Sequence, residues 1–168
     1  MILVEKATPD HVAGIAHVCI EGCRATYKGL RSTESIERNN KLFYNEKRIL
    51  TEVTEVTDSW DGWFVALEAG EVIGAIGGGM TGVDVSEVFV LYLNPNRRNE
   101  GIGTMLLEKL TEVQREKGSM KQWVSVQKAN QKGIPFYEAK GFHLQAEQPA
   151  YANAPGENYV SLRYCRSI

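Results

Sequence analysis

Apolar positions recur along this chain with two periods, and the switches between them mark out its elements. Ile2 to Lys6 reads as a first strand. Thr8-Pro9-Asp10 follows as a helix entry, with Thr8 as N-cap and Pro9 at the first helical position. Val12, Ile15, Ala16, Cys19 and Cys23 then share one helical face, and the helix ends near Tyr27-Lys28-Gly29-Leu30. Ile36, Phe43 and Leu50 lie one heptad apart, with Leu42 and Ile49 widening the stripe. They predict a second helix from Thr33-Glu34 to about Thr51. Strands return at Gly62 to Glu68 and Val72 to Met80, joined by a short antiparallel hairpin at Ala69-Gly70-Glu71. The run Gly77-Gly78-Gly79 inside a strand reads as a bulge, as a close approach of ligand, or as a flexible strand end.

The next segment is the most informative. A strand from Val85, rich in β-branched and aromatic residues over Glu87 to Leu93, is stopped by Asn94-Pro95, since proline cannot donate to a ladder. Then come Arg98-Asn99-Glu100-Gly101-Ile102-Gly103 and at once a helix. Ile102, Met105, Leu106, Leu110 and Val113 form its apolar face. A strand, a glycine-bearing loop and a helix N-terminus make an anion site, because the backbone can close on a ligand, N–H groups are unpaired and the dipole favours negative charge. A dinucleotide fingerprint needs a third glycine, and a nucleoside-triphosphatase loop needs a lysine before Thr104; both are missing. Lys121 to Gln127 is the next strand, and Asn130 or Gln131 opens a short helix through Lys140, closed by Gly141. Phe142 to Glu147 and Asn158 to Tyr164 pair as closing strands around an irregular loop, Gln148 to Glu157.

Composition narrows the function classes. A length of 168 residues fits a single domain over 1–168 with a real core. A net charge of -2 argues against nucleic acid as a partner. No apolar run approaches the roughly 20 residues that span a bilayer, and the N-terminus reads as a strand start and not as a signal peptide. A cytoplasmic location is expected. Cys19, Cys23 and Cys165 are an odd, sparse set that suits a reducing compartment, and nothing completes a metal site around them.

Two motifs add a resemblance. Glu87-x-x-x-Leu91-Tyr92-Leu93-x-Pro95-x-x-Arg98-x-x-Gly101-x-Gly103 resembles the acetyl-CoA-binding motif of the GNAT superfamily of N-acetyltransferases. Asn130-x-x-Gly133-x-x-Phe136-Tyr137-x-x-x-Gly141-Phe142 resembles a second motif of that family, with Gly133 where alanine is usual. The resemblance implies an α/β (α+β) GNAT fold: a mixed, mostly antiparallel sheet of about seven strands, about four flanking helices and a V-shaped splay after the fourth strand, where pairing is expected to fail at Asn94-Pro95. The expected reaction is direct attack of a primary amine on acetyl-CoA through a tetrahedral intermediate. A GNAT-fold acyl-CoA-binding or regulatory protein without turnover is the alternative.

The resemblance also assigns roles. The pyrophosphate is expected on the backbone of Arg98, Asn99, Glu100, Gly101, Ile102, Gly103 and Thr104, with a charged contact from Arg98. The pantetheine arm is expected along Leu91, Tyr92 and Leu93, with an N–H of Leu91 or Leu93 aimed at the thioester oxygen; such donors are worth about 10² to 10³ in rate. Asn130 and Phe136 complete the cofactor contacts. Tyr137, with an ordinary phenol pKa of about 10, is the candidate acid for the leaving thiolate, and Glu87 the candidate base, directly or through water. The turn between the two opening helices is expected at the acceptor site, and Tyr27, Trp60, Trp63 and Tyr151 are further candidates to shape it. The acceptor is a small-molecule amine or a peptide amine, with small amines favoured because a mildly acidic chain suits cations. Homodimers are common in the family, often through the closing strands.

Overall fold

The computed structural model describes all 168 residues. Its strands are β1 (Ile2–Lys6), β2 (Trp63–Glu68), β3 (Glu71–Met80), β4 (Val85–Leu93), β5 (Lys121–Gln127), β6 (His143–Pro149) and β7 (Val160–Ser167). They form one sheet in the order β1-β2-β3-β4-β5-β7-β6. Every neighbouring pair is antiparallel except β4 with β5. The helices are α1 (Val12–Tyr27), α2 (Thr33–Phe43), α3 (Glu46–Thr54), α4 (Ile102–Glu116) and α5 (Gly133–Ala139). This is the GNAT fold that the two motifs implied. None of the helices is long and apolar enough to cross a membrane.

The sheet buries apolar residues on both faces. Ile102, Leu106, Leu107 and Leu110 of α4 pack with Phe64, Ile73, Ile76 and Val88 on one side. Ile15, Val18 and Cys19 of α1 and Ile49 and Val53 of α3 pack with Trp63, Val65 and Ala75 on the other. The stripe of Val12, Ile15 and Cys19 is therefore core, and the free Cys19 and Cys23 are packing residues.

Two expectations need correction. The stretch from Thr33 to Thr51, expected as one helix, forms two, which brings the helices to five. Asn45 makes the break. Its side-chain oxygen accepts the Arg48 N–H at 2.9 Å to open α3, while its amide donates to the carbonyls of Lys41 and Leu42 at 3.1 and 3.2 Å to close α2. The heptad spacing of Ile36, Phe43 and Leu50 passes over this point because the capping chemistry is polar and local.

The splay also opens earlier than Asn94-Pro95. Strands β4 and β5 pair only over Val85–Val88 with Lys121–Val124. Phe89 is the extra residue of a β-bulge, since Gly77 pairs with Val90 but Gly78 pairs with Val88. The bulge bends β4 away from β5 and leaves Phe89 to Leu93 without a partner on that side. Of the three readings of the glycine run, the register bears out the bulge, and close packing explains the glycines. A Cβ on Gly77 would lie 2.5 Å from the Trp60 ring, and on Gly78 or Gly79 it would collide with the carbonyls of Glu87 or Ser59.

Candidate active site

The loop between β4 and α4 is built to leave its N–H groups free. Asn99 and Gly101 adopt left-handed backbone, with φ of 62° and 78°. No backbone N–H from Arg98 through Thr104 donates to the protein; the next one, of Met105, donates to the Gly101 carbonyl. Ile102 and Gly103 open α4 and line the cavity, so their N–H groups, like those at any helix N-terminus, are available to a ligand. Helix α4 adds its dipole at the same place. The two adjacent arginines divide the work. Arg97 is locked, with Glu68 at 2.8 Å and Glu100 at 2.7 Å, whereas the exposed Arg98 holds no carboxylate and lines the cavity.

That cavity, of about 540 Å³, runs from the loop into the splay. Asn94 N–H donates to the Ile73 carbonyl at 2.9 Å, so by strand alternation Tyr92 and Val90 also turn their polar groups toward β3. Leu91 and Leu93 must then present theirs to the open side. Gly103 lies close under Phe136: a Cβ there would sit 3.3 Å from the ring. Asn130 caps α5, its oxygen accepting the N–H of Gly133 at 2.9 Å and of Lys132 at 3.2 Å, and its side chain lines the cavity as well. Gly133 permits this approach, because a Cβ there would come 2.7 Å from the Asn130 amide nitrogen.

Tyr137 is 8% exposed and held edge-on by Phe136 at 5.1 Å and Phe142 at 5.4 Å. It lines the cavity, and its hydroxyl makes no hydrogen bond to the protein, which leaves the proton free for a ligand. Burial, and then the nearby Tyr27, push its pKa well up, so the phenol stays protonated at neutral pH. Burial likewise pushes the Cys23 thiol up to about 12, which makes it an unreactive neighbour.

Eleven of the twelve expected cofactor residues meet at this cavity: Leu91, Tyr92, Leu93, Arg98, Asn99, Gly101, Ile102, Gly103, Thr104, Asn130 and Phe136. Glu100 stands apart, its carboxylate turned to Arg97. Glu87 lies beside the splay but outside the cavity lining, and Arg163 holds both of its oxygens, at 2.7 and 2.9 Å. The Arg163 guanidinium stacks on Trp123 at 5.1 Å and donates to Ser125 at 2.7 Å. Of the aromatic candidates only Tyr27 lines the cavity; its hydroxyl lies 3.1 Å from that of Tyr92. Trp60 and Trp63 point their N–H groups at Glu52, and Tyr151 is 93% exposed. Sequence reasoning missed Gly22, Ser125, Gln127 and Lys132, which also line the cavity. The alternation of Trp123, Ser125 and Gln127 along β5 was the available signal for two of them.

The model of the acetyltransferase (GNAT) family matches residues 25–142, from the end of α1 to the residue before β6. The chain belongs to the GNAT family. A curated relative, spermidine N(1)-acetyltransferase of Thermoplasma acidophilum, is 26% identical over 145 residues, covering 86% of this chain and 89% of its own. Among solved structures, the PaiA N-acetyltransferase of Thermoplasma acidophilum in complex with coenzyme A superposes with a TM-score of 0.84 at 22% identity, over 100% of this chain and 99% of that one. A probable acetyltransferase of Staphylococcus epidermidis superposes at 0.77 with 14% identity, over 99% of each chain. These likenesses show the GNAT fold; the site's chemistry rests on this chain's own residues.

Proposed function

We propose that this GNAT chain transfers the acetyl group of acetyl-CoA to a primary amine by direct attack. The observation that carries the reading is the run of free N–H groups from Arg98 to Thr104, continuous with the open edge of β4. The cradle takes the pyrophosphate, with Arg98 as a charge-assisted contact. The pantetheine amides pair with Leu91 and Leu93 as an added strand, and one of those N–H groups steadies the developing oxyanion, a contribution of about 10² to 10³ in rate. The amine nitrogen bonds to the thioester carbon, the carbon–sulfur bond breaks, the sulfur leaves toward Tyr137, and the acylated nitrogen sheds its extra proton to water, which restores the phenol.

Tyr137 donates its proton, or most of a hydrogen bond, to that sulfur. Its raised pKa acts in two directions: the phenol never loses its proton prematurely, yet full transfer to a thiolate is uphill. The hydroxyl therefore works mainly as a positioned donor. Glu87 takes the ammonium proton through water, using the oxygen lone pairs that Arg163 leaves free. A cytoplasmic setting, in keeping with three free cysteines, suits this chemistry.

The deciding experiment follows free CoA thiol with acetyl-CoA and a panel of primary amines. Amine-dependent thiol release that falls strongly in Tyr137→Phe supports the reading. Binding of acetyl-CoA with no thiol release for any amine would make the chain an acyl-CoA-binding protein instead.

A further inference from the structure

The net acidity of the chain does not reach its cavity. No aspartate or glutamate lines it, while Arg98 and Lys132 do. The nearest acid of the splay, Glu87, is neutralised by Arg163, and Glu37 and Glu157, around the α1–α2 turn and the loop before β7, are held by Arg24 and Arg38. On the reading above Arg98 serves the pyrophosphate, so what bears on the acceptor is that the lining itself offers a polycation no carboxylate.

One cation on the α1 side of the sheet is treated differently. Arg31 has no carboxylate partner, unlike Arg24, Arg38, Arg48, Arg97 and Arg163. It is half-buried between aromatic rings, 4.6 Å from the Tyr159 centroid and 5.6 Å from that of Tyr27. Its Nε donates to the Gln127 side-chain oxygen at 2.5 Å, and a nitrogen at its fork reaches Ser35 only at 3.4 Å. The other fork nitrogen makes no hydrogen bond to the protein. The surrounding turn is fixed: Gln127 donates to the Leu30 carbonyl at 3.3 Å, and Ser32 N–H donates to the Tyr159 hydroxyl at 2.9 Å. Tyr27 and Gln127, both in contact with Arg31, line the cavity, whereas Arg31 itself lies one layer back from the lining. A preorganised guanidinium with a free end, beside an acid, Glu157, that Arg38 already holds, is a receptor for a carboxylate.

We propose that the acceptor carries a carboxylate besides its amine, and that Arg31 binds it within the Tyr27–Gln127–Tyr159 cage. The substrate class is then an amino acid or a close derivative, not a polyamine. This inference rests on the acetyltransferase reading above. Arg31 is placed as a specificity-determining residue, fixing the far end of the acceptor so that its nitrogen lies at the splay.

The test compares matched acceptors: leucine with leucinamide, β-alanine with β-alaninamide, γ-aminobutyrate with its amide, and spermidine. Thiol release gives kcat/KM for each. The expected result is a carboxylate-over-carboxamide ratio of at least about 10 for one pair, with spermidine below that carboxylate, since a hydrogen bond to a charged group is worth roughly that factor or more. In Arg31→Gln the ratio should collapse toward one, and in Arg31→Lys, which keeps the charge but loses the fork, it should fall part of the way. Stabilisation by CoA reports that each variant is folded, and Arg31→Lys alone decides if Arg31→Gln is not. Equal ratios in wild type and variant, or preference for spermidine, would overturn the proposal. If no amine releases thiol, the acetyltransferase reading fails separately. Calorimetry of the same amino acids on the CoA-loaded protein then decides this one: binding weakened about tenfold in the folded Arg31 variant upholds it, and no binding to wild type refutes it.

Discussion

The two sides of the cleft follow opposite rules. On the α4 side, donors are left unpaired: the N–H groups from Arg98 to Thr104, the Arg98 guanidinium and the Tyr137 hydroxyl all lack protein partners. On the α1 side several charges are already matched, Glu87 to Arg163, Glu37 to Arg24 and Glu157 to Arg38, while Arg31 holds no carboxylate. A pyrophosphate can be held by backbone and a helix dipole, and such a site costs few side chains. An acceptor amine must be recognised by side chains brought from distant segments, and their charges are balanced in advance.

The sharpest way to break this contrast is to remove the hydroxyl proposed to meet the leaving sulfur. Tyr137→Phe should lower kcat by on the order of 10²- to 10³-fold while acetyl-CoA still stabilises the fold, because the ring stays wedged between Phe136 and Phe142. Steady-state kinetics beside a melting curve checks both halves. The pH profile sharpens the same point. Burial raises the Tyr137 pKa, so the phenol remains protonated through the ordinary phenol range near 10. The alkaline fall in kcat below about pH 10 should then be identical in wild type and Tyr137→Phe; a limb present only in wild type would contradict the assignment.

Adjacent arginines test the contrast at a smaller scale. Arg98→Ala should weaken acetyl-CoA by about 10-fold with an unchanged melting temperature, the cost of a charge-assisted hydrogen bond. Arg97→Ala should leave affinity nearly alone and change stability only slightly, because its pairs with Glu68 and Glu100 are exposed to solvent screening. Titration calorimetry and denaturant unfolding separate them. The mildest change lies on the other side: Asn45→Ala should cost about 1 kcal/mol in urea unfolding, by removing the cap of α3 and the stop of α2.

The same contrast explains what could be read without coordinates. Gly101, Gly103 and Arg98 lie within six positions of one another, and Asn130, Phe136 and Tyr137 within eight, so local spacing marked that side of the cleft. The glycine run Gly77-Gly78-Gly79 offered a bulge as one of three readings, but that Phe89 is the extra residue was not legible, because this follows only from its register against Gly77 and Gly78. The break at Asn45 was missed because one polar side chain outweighed a continuous apolar stripe. The Arg31 cage joins residues 96 and 127 positions apart, through Gln127 to Arg31 and Tyr159 to Ser32, and no spacing rule reaches across such separations. The Glu87–Arg163 pair, 76 positions apart, escaped for the same reason.

The central claim, that the cradle and the open edge of β4 hold acetyl-CoA, is tested most directly by titrating acetyl-CoA into wild type and Gly103→Trp. The new side chain would press on Phe136, whose ring already lies 3.3 Å from the Cβ position, and fill the channel beside Leu93. Saturable binding to wild type, with an added stability of roughly 2.7 kcal/mol at about 100 times Kd, and its loss in a folded Gly103→Trp is the predicted result. Unchanged affinity in the variant, or no binding to wild type at millimolar acetyl-CoA, would contradict the account.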